Sequence, residues 1–497
     1  MEDHRQLAKG VLVNTLGVFA KGSRALYLIV FSRLLGSEFF GLYMLAFALQ
    51  EVVSKIAVLG LDQGTMRLAS SYRARDKGPQ IRSAVERVLM VCIGWSALVA
   101  VVFGFSATWL ANDLLNKPTL ASPLRNFAFG MPAVCATSVL VYAIRSTLRM
   151  QYEVYVRSLA EPFIVLILAV IGIRAKLGVN GIVFAHNLAA FVALGLALFF
   201  FYRNFPKNDA KKERVDWGFL FHSSIPMGSM EFLSMFKMRL DLMIIGRLLP
   251  LSSVGIYSAA VEIASLLRKT RATFDPVLLP IVQMLHERKE SKRFNENLAL
   301  ALRWILVPSL ALMGTMLLIP RGYMHVFGAS FEAGALALSI FAVGQLFYVT
   351  LGLLEGVMAV TGFAYVTLVN SITLVIVNAF LLILFVPHWG LPGAAAATAI
   401  SYVGVTLWRL AQAKRLLNTW PFSRSQLKPI AAFLVALAVL ALIKAWIRPQ
   451  SFLLEIAFGV GFLALYGTGI LTFRLEKADQ DILGAIRRKL PRKRKIG

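Results

Sequence analysis

Long apolar runs recur from one end of the chain to the other, and each has the length of a membrane crossing. Fourteen can be marked, at about 11–35, 39–60, 85–111, 122–143, 158–173, 179–202, 219–246, 254–283, 298–319, 333–355, 363–386, 391–411, 427–447 and 452–473. A hydrocarbon core of about 30 Å takes about 20 residues of helix to cross. Inside that core every backbone N–H and C=O must be bonded within the structure, which leaves helices or a closed barrel. A barrel would show short segments of alternating hydrophobicity, and these runs do not alternate. Charged residues are only 16% of the chain, against about 25% in soluble domains. Mean hydropathy is +0.69. The chain therefore reads as an all-α polytopic membrane protein with about 14 transmembrane helices.

Net charge is +26. In a soluble protein that excess would suggest nucleic acid; here most of it lies in loops, where it sets topology and meets anionic lipid. With the N-terminus inside, one face collects Arg67, Arg73, Arg75, Lys77 and Arg82, then Arg145, Arg149 and Arg157, then Arg203, Lys207, Lys211, Lys212 and Arg214. It also collects Arg288, Lys289, Lys292, Arg293, Lys414, Arg415, Arg424 and Lys428, and the tail with Arg487-Arg488-Lys489 and Arg492-Lys493-Arg494-Lys495. The other face holds roughly a third to a quarter as many cations, the asymmetry expected of cytoplasmic against external loops. Both termini are thus expected in the cytoplasm. The first apolar run is followed by no small-residue cleavage site and reads as a retained span.

Several spans carry charge. Lys21 and Arg24 fall in the first, Glu51 and Lys55 in the second, and Arg268, Lys269 and Arg271 in the eighth. A cation near the bilayer centre costs about 2.5–3.5 kcal/mol on insertion scales, so such residues normally face a wet cavity and meet an ion or a charged substrate. Lys21 and Arg24 share a helical face, as do Arg268 and Arg271, with Asp275 one turn beyond. Glu51 precedes Lys55 by four, the spacing of an intrahelical ion pair. Glu231 and Asp241 share the seventh span with Lys237 and Arg239, where local pairing is expected. Glu262 and Glu355 have no cation at helical spacing on their own helix, which makes them candidates for proton or sodium coupling. His186 and Asn187 are expected to bond neighbouring helices. Cys92 and Cys135 fall inside spans and define no disulfide framework; no HExxH or CxxC pattern marks a metal site, and no cofactor is implied.

The chain also echoes itself at an offset of 214. Arg33-Leu34-Leu35 returns as Arg247-Leu248-Leu249, Gly41-Leu42-Tyr43 as Gly255-Ile256-Tyr257, and Lys55 as Lys269. A second echo relates Leu177-Gly178-Val179-Asn180-Gly181 to Trp389-Gly390-Leu391-Pro392-Gly393 at 212. Spans one to six then correspond to seven to twelve, two lobes entering the membrane from the same side with the substrate site expected between them. The expected organisation is an N-terminal lobe at 1–205, a basic connector at 206–218, a C-terminal lobe at 219–420, two added helices at 421–474 and a basic tail at 475–497.

Arg33-Leu34-Leu35-Gly36, Phe40-Gly41-Leu42-Tyr43, Leu59-Gly60-Leu61 and Gly64 together resemble the opening of the polysaccharide flippases, the O-antigen or Wzx-type translocases of the multidrug/oligosaccharidyl-lipid/polysaccharide (MOP) exporter superfamily. Asp241 to Gly246 followed by Gly255-Ile256-Tyr257, and Gly390-Leu391-Pro392-Gly393-Ala394-Ala395, resemble the same family's later helices; the resemblance covers about residues 7–420. It implies a two-lobed bundle working by alternating access on a polyprenyl-diphosphate-linked oligosaccharide, for lipopolysaccharide or other surface polysaccharide. It also implies a cationic cavity, for which Lys21, Arg24, Lys55, Arg268, Lys269 and Arg271 are the candidates. Glu51, Glu231, Glu262 and Glu355 are the candidates for coupling to H+ or Na+. Membrane lipids and a polysaccharide polymerase or glycosyltransferases are the implied partners; nucleic acid is not.

Three other readings are weighed. A multidrug or organic-cation antiporter of the same superfamily should offer its cargo carboxylates and aromatics instead of clustered arginines. A lipid II flippase shares the cationic pattern. A membrane polymerase or transferase would need a large catalytic loop, whereas the longest polar stretches here run about 20–25 residues, and no P-loop occurs. The chain is read as a transporter and not an enzyme.

Overall fold

The computed structural model describes residues 23–75, 78–206, 215–272, 274–447 and 451–472. Lys21, Lys77, the connector cations Lys207, Lys211, Lys212 and Arg214, and the basic tail lie outside the described residues. Helices and turns make up what is described, with no strand among those residues.

The chain begins with α1 (Ser23–Val58), which carries two expected spans end to end. Gly36 divides them, at φ 73°, a left-handed conformation that glycine adopts without steric cost. Then come α2 (Leu61–Ala74), α3 (Ile81–Trp109), α4 (Ala121–Arg145), α5 (Glu161–Arg174), α6 (Gly178–Asn204), α7 (Trp217–Leu248) and α8 (Leu251–Ala272). They are followed by α9 (Asp275–Glu287), α10 (Ser291–Leu318), α11 (Pro320–His325), α12 (Ala335–Thr350) and α13 (Leu353–Met358). The last are α14 (Ala364–Leu416), α15 (Leu427–Ile447) and α16 (Phe452–Thr472). In α14 the break is Gly390 at φ 56°, so this helix too carries two expected spans.

Among the described residues, nine helical segments are long and apolar enough to cross a membrane. Two of them, of 51 and 88 residues, exceed the single crossing length of about 20 residues and hold more than one span each. The seventh and eighth spans are not among the nine. Glu231, Lys237, Arg239 and Asp241 in α7, and Glu262, Arg268, Lys269 and Arg271 in α8, lower their hydropathy.

One stretch differs from its sequence reading. Residues 62–84 look like a polar loop, yet Leu61–Ala74 forms α2 and buries Leu61, Gly64, Thr65, Leu68, Ala69 and Tyr72. Those positions recur every three or four residues, a helical stripe that a search for long apolar runs passes over. Its polar groups are satisfied locally: Thr65 Oγ1 donates to the Leu61 carbonyl at 2.5 Å, and Asp62 Oδ1 accepts from the Gln63 amide at 2.8 Å. The eighth span also differs, since α8 stops at Ala272 and α9 starts at Asp275 with a proline in its first turn.

The chain divides into two compact units. The first comprises residues 1–262, 324–334 and 375–397. Within it α4 packs against α3 and α6, while α1 and α2 pack against α4 and α7. Arg33, from the repeated motif, donates through Nε to the Val326 carbonyl at 2.8 Å and so pins the 324–334 segment to α1. Two glycines at the offset of 214 also approach each other in this unit. A Cβ added to Gly41 would lie 2.7 Å from the Gly255 nitrogen, and one added to Gly255 would lie 3.0 Å from the Gly41 nitrogen. Repeat-related glycines thus meet each other, the reciprocal contact that a local two-fold relation generates.

The second unit comprises residues 263–323, 335–374 and 398–497. There α10 packs against α12, α15 and α16, and α15 packs against α16. Gly314 of α10 admits the Phe462 ring of α16 where any side chain would collide with it. Lys444 of α15 donates to the Leu318 carbonyl of α10 at 2.5 Å and sits 3.4 Å from Glu455 of α16, so an ion pair joins the two C-terminal helices and a hydrogen bond ties them to α10.

Candidate functional site: a charge-lined cavity in the first unit

Polar side chains inside apolar helices must find partners, and in the first unit they find them across helices. Glu51 on α1 receives two arginines: Arg24 of the same broken helix, with Nη1 3.2 Å from Oε1, and Arg239 of α7, with Nη2 2.5 Å from Oε2. Lys55, one turn on, places Nζ 2.8 Å from Glu231 Oε2 on α7, and Gln63 of α2 donates to the other oxygen of the same carboxylate. The intrahelical Glu51–Lys55 pair expected from sequence is therefore replaced by two inter-helix pairs. Glu231 likewise bonds Lys55 and Gln63 instead of a local cation. A carboxylate side chain reaches about as far across a tight helix contact as along its own helix, so packing decides between the two.

These residues border a half-open cavity with two adjoining compartments of about 220 and 390 Å³. Phe47, Glu51, Arg157, Glu161 and His186 line both. Lys55 borders the first compartment and Arg24 the second. Arg157 and Glu161 were not singled out as site residues from sequence. Arg157 reads there as one more loop cation and Glu161-Pro162 as a helix start. Glu161 does open α5, but the preceding turns, Val154–Ala160, are wound as a π-helix, and this brings Arg157 to the cavity wall, where it donates to Ser138. Such a widened turn leaves no signature in hydropathy.

The lining combines three kinds of group. Four cations, Arg24, Lys55, Arg157 and Arg239, stand in or against the cavity with three carboxylates, Glu51, Glu161 and Glu231. Gln50, Ser54, Ser138 and Asn187 supply neutral donors and acceptors. Tyr27, Phe47, Phe127 and His186 form an aromatic wall, with Tyr43 Oη 2.8 Å from His186 Nε2. His186 and Asn187 do bond neighbouring helices, Asn187 donating to the Asn126 carbonyl at 2.6 Å. Arg24 lies 5.2 Å from the Phe47 ring centroid, and its Nε and Nη2 are buried with no hydrogen-bond acceptor among the described residues. A guanidinium offers five donors in a planar fork, so a half-used arginine on a cavity wall is set to receive an oxyanion.

Of the other candidates, Arg268, Lys269, Arg271 and Glu355 fall in the second unit. Arg268 is half-buried on α8, Lys269 is exposed, and Arg271 pairs with Asp275 at 3.0 Å, one turn on as its spacing suggested. Glu262 ends the first unit, half-buried on α8. Glu355 on α13, which has no cation at helical spacing, meets Arg409 of α14 with Nη1 3.1 Å from Oε2, and accepts from Ser371 Oγ at 3.3 Å. Arg409 is wholly buried, and sequence reasoning missed it. It sits near the end of an expected span, where a cation ordinarily reads as an interfacial residue. Asp241 accepts from Tyr257 Oη at 3.0 Å, both residues belonging to motifs quoted above. No group of three or more metal-ligating side chains occurs among the described residues.

Removing a carboxylate that neutralises a buried arginine, Arg239, and a half-buried one, Arg24, leaves both charges without compensation. Glu51→Ala is therefore expected to destabilise the protein by about 3–5 kcal/mol. The check is the thermal unfolding midpoint of the purified protein in detergent, with Glu86→Ala, at a half-exposed pair on α3, as the comparison. Equal midpoints for the two variants would contradict the structural role given to Glu51.

A helical membrane bundle enclosing a cavity of mixed charge has the architecture of a transporter. Residues 7–286, more than half of the chain, match the family described as polysaccharide biosynthesis protein, and the chain belongs to that flippase family of the MOP superfamily. Among solved structures it is similar to the lipid II flippase MurJ in an inward closed conformation, at 14% identity and a TM-score of 0.69, covering 92% of this chain and 98% of MurJ. It is also similar to a multidrug resistance MATE family transporter in an inward-facing conformation, at 15% identity and a TM-score of 0.67, covering 82% and 96%. A third is a MOP superfamily transporter from Pyrococcus furiosus described by the reverse polarity of its binding pocket, at 15% identity and a TM-score of 0.55, covering 82% and 93%. These likenesses establish the fold. No curated protein matches the chain.

Proposed function

We propose that this protein flips a polyprenyl-diphosphate-linked oligosaccharide from the cytoplasmic to the outer leaflet of a bacterial inner membrane by alternating access, in the assembly of a surface polysaccharide. It does so as a transporter, without covalent chemistry. The observation that carries the proposal is the state of Arg24: two buried guanidinium donors with no acceptor among the described residues, on the wall of a cavity that also holds Lys55 and Arg157. A diphosphate would take up those donors and compete with Glu51 and Glu231 for their cations. Gln50, Ser54, Ser138 and Asn187 offer sugar hydroxyls the neutral partners they need. Arg268, Lys269 and Arg271, on the repeat-related stretch of the second half, are assigned to the same anion in a later or earlier state of the cycle. Lys21 is assigned with them. Glu51, Glu231, Glu262 and Glu355 are the groups through which H+ or Na+ would drive the cycle, and a polymerase or glycosyltransferase would hand cargo on or supply it.

A second reading has its own support. Glu51 and Glu161 beside Tyr27, Phe47 and Phe127 are the carboxylates and aromatics an organic-cation exporter would show its cargo. Vesicles containing the purified protein separate the two. Protein-dependent loss of accessibility of a fluorescent polyprenyl-diphosphate oligosaccharide supports flipping. Its absence, together with pH-driven movement of a fluorescent organic cation, would replace the proposal with the exporter reading.

A further inference from the structure

A second basic crevice, of about 440 Å³, opens at one end of the first unit and shares no residue with the cavity. Three arginines from three chain segments line it: Arg73 from the end of α2, Arg82 from the start of α3, and Arg149 from the turn after α4. Gly78 and Pro79 from the α2–α3 link, Ile81 of α3, Thr147 from the turn after α4, and Asn204, Phe205 and Pro206 at the end of α6 complete it.

Each guanidinium is held in place. Arg73 Nη1 donates to the Ser146 carbonyl at 2.9 Å, and Arg149 Nη1 to Asn204 Oδ1 at 2.6 Å. Arg82 lies 4.5 Å from the Tyr202 ring centroid, and its Nε donates to Glu86 at 3.0 Å. Among the described residues, two of the three are anchored by neutral acceptors, which position their charge without cancelling it. An arginine fixed in this way gives up less rotamer freedom when an oxyanion arrives.

The surroundings are apolar. Leu148 and Met150, on either side of Arg149, are 83% and 45% exposed, and Tyr202 and Phe199 on the last turns of α6 are 41% and 56% exposed. A soluble anion needs no such border, whereas acyl chains would lie against it. We infer that this crevice binds the phosphate head group of an anionic phospholipid, with the lipid's chains on Leu148, Met150, Phe199 and Tyr202. Charge complementarity and the exposed apolar rim select this occupant. A lipid held there would tie the α2–α3, α4–α5 and α6 ends together at the membrane surface.

The test is lipid retention by the purified full chain in native mass spectrometry, titrated with palmitoyl-oleoyl phosphatidylglycerol or phosphatidylcholine. Wild type should bind phosphatidylglycerol more tightly. Arg73→Gln with Arg149→Gln should weaken it by roughly fivefold per arginine removed, leaving phosphatidylcholine unchanged. Arg73→Lys with Arg149→Lys should keep most of the preference, and Arg174→Gln, beyond the opposite end of α6, should keep all of it. An unchanged preference in the glutamine pair overturns the inference. So does loss of preference in the lysine pair, which would make packing and not charge responsible. Displacement of phosphatidylglycerol by millimolar inorganic phosphate would assign the crevice to a soluble anion instead. Because the readout is binding at residues outside the cavity, it can fail while the flipping proposal stands, and the reverse.

Discussion

Arg24→Ala is expected to reduce flipping of a lipid-diphosphate in vesicles by at least about thirtyfold while the protein still reaches the membrane. That factor corresponds to about 2 kcal/mol, the lower end of the cost of truncating one partner of a desolvated, hydrogen-bonded charge pair. The substitution removes the donors Nε and Nη2 that face no acceptor among the described residues, and it leaves Arg239 as the remaining guanidinium on Glu51. Stability should suffer less than in Glu51→Ala, since Glu51 keeps one cation. Arg24→Lys retains the charge but not the planar fork, so it should recover part of the rate. Arg268→Ala should behave like Arg24→Ala if the second half of the repeat handles the same anion. Flipping at the wild-type rate in both alanine variants would remove the basis for assigning these cations to the substrate.

The second large effect is expected at the glycine crossing. Gly255→Val should strongly lower both yield and unfolding midpoint. Its Cβ would sit 3.0 Å from the Gly41 nitrogen and 3.1 Å from the Ser37 carbonyl carbon, against backbone that cannot rotate away as a side chain can. Overpacking of side chains typically costs about 1–3 kcal/mol, and a backbone-to-backbone clash should fall at or beyond the upper end. Gly41→Val should act alike, because the contact is reciprocal. Gly195→Ala is the comparison: among the described residues no neighbouring element comes within 4 Å of its added Cβ, so it should be neutral or slightly stabilising. Should Gly255→Val match Gly195→Ala in midpoint, the close approach of α1 and α8 would not be the support it is taken to be. Small residues let membrane helices approach closely, where no water is available to drive them together.

Much of the fold can be read without coordinates because the bilayer restricts the choices. Backbone groups in hydrocarbon must be bonded internally, so length and hydropathy locate α3, α4, α6, α15 and α16 within a few residues. The helix α2 escapes that reading because its stripe of Leu61, Gly64, Leu68 and Tyr72 is periodic but not apolar throughout. The positions of Arg24, Glu51 and Lys55 along the spans are likewise legible, since charge in an apolar run stands out.

What the sequence alone determined is therefore the class of molecule, the places where its chain crosses the membrane, and which crossings carry charge. Solvation accounts for all three, and it acts on each segment separately. Only the tertiary structure decided that Glu51 serves Arg24 and Arg239, that Lys55 serves Glu231, that Arg409 reaches Glu355, and that Arg157 turns onto a cavity wall. Helical periodicity specifies neighbours three or four residues away and says nothing about a neighbour on another helix. That choice is made by close packing, which turns on a few glycines, one widened turn and the reach of individual side chains.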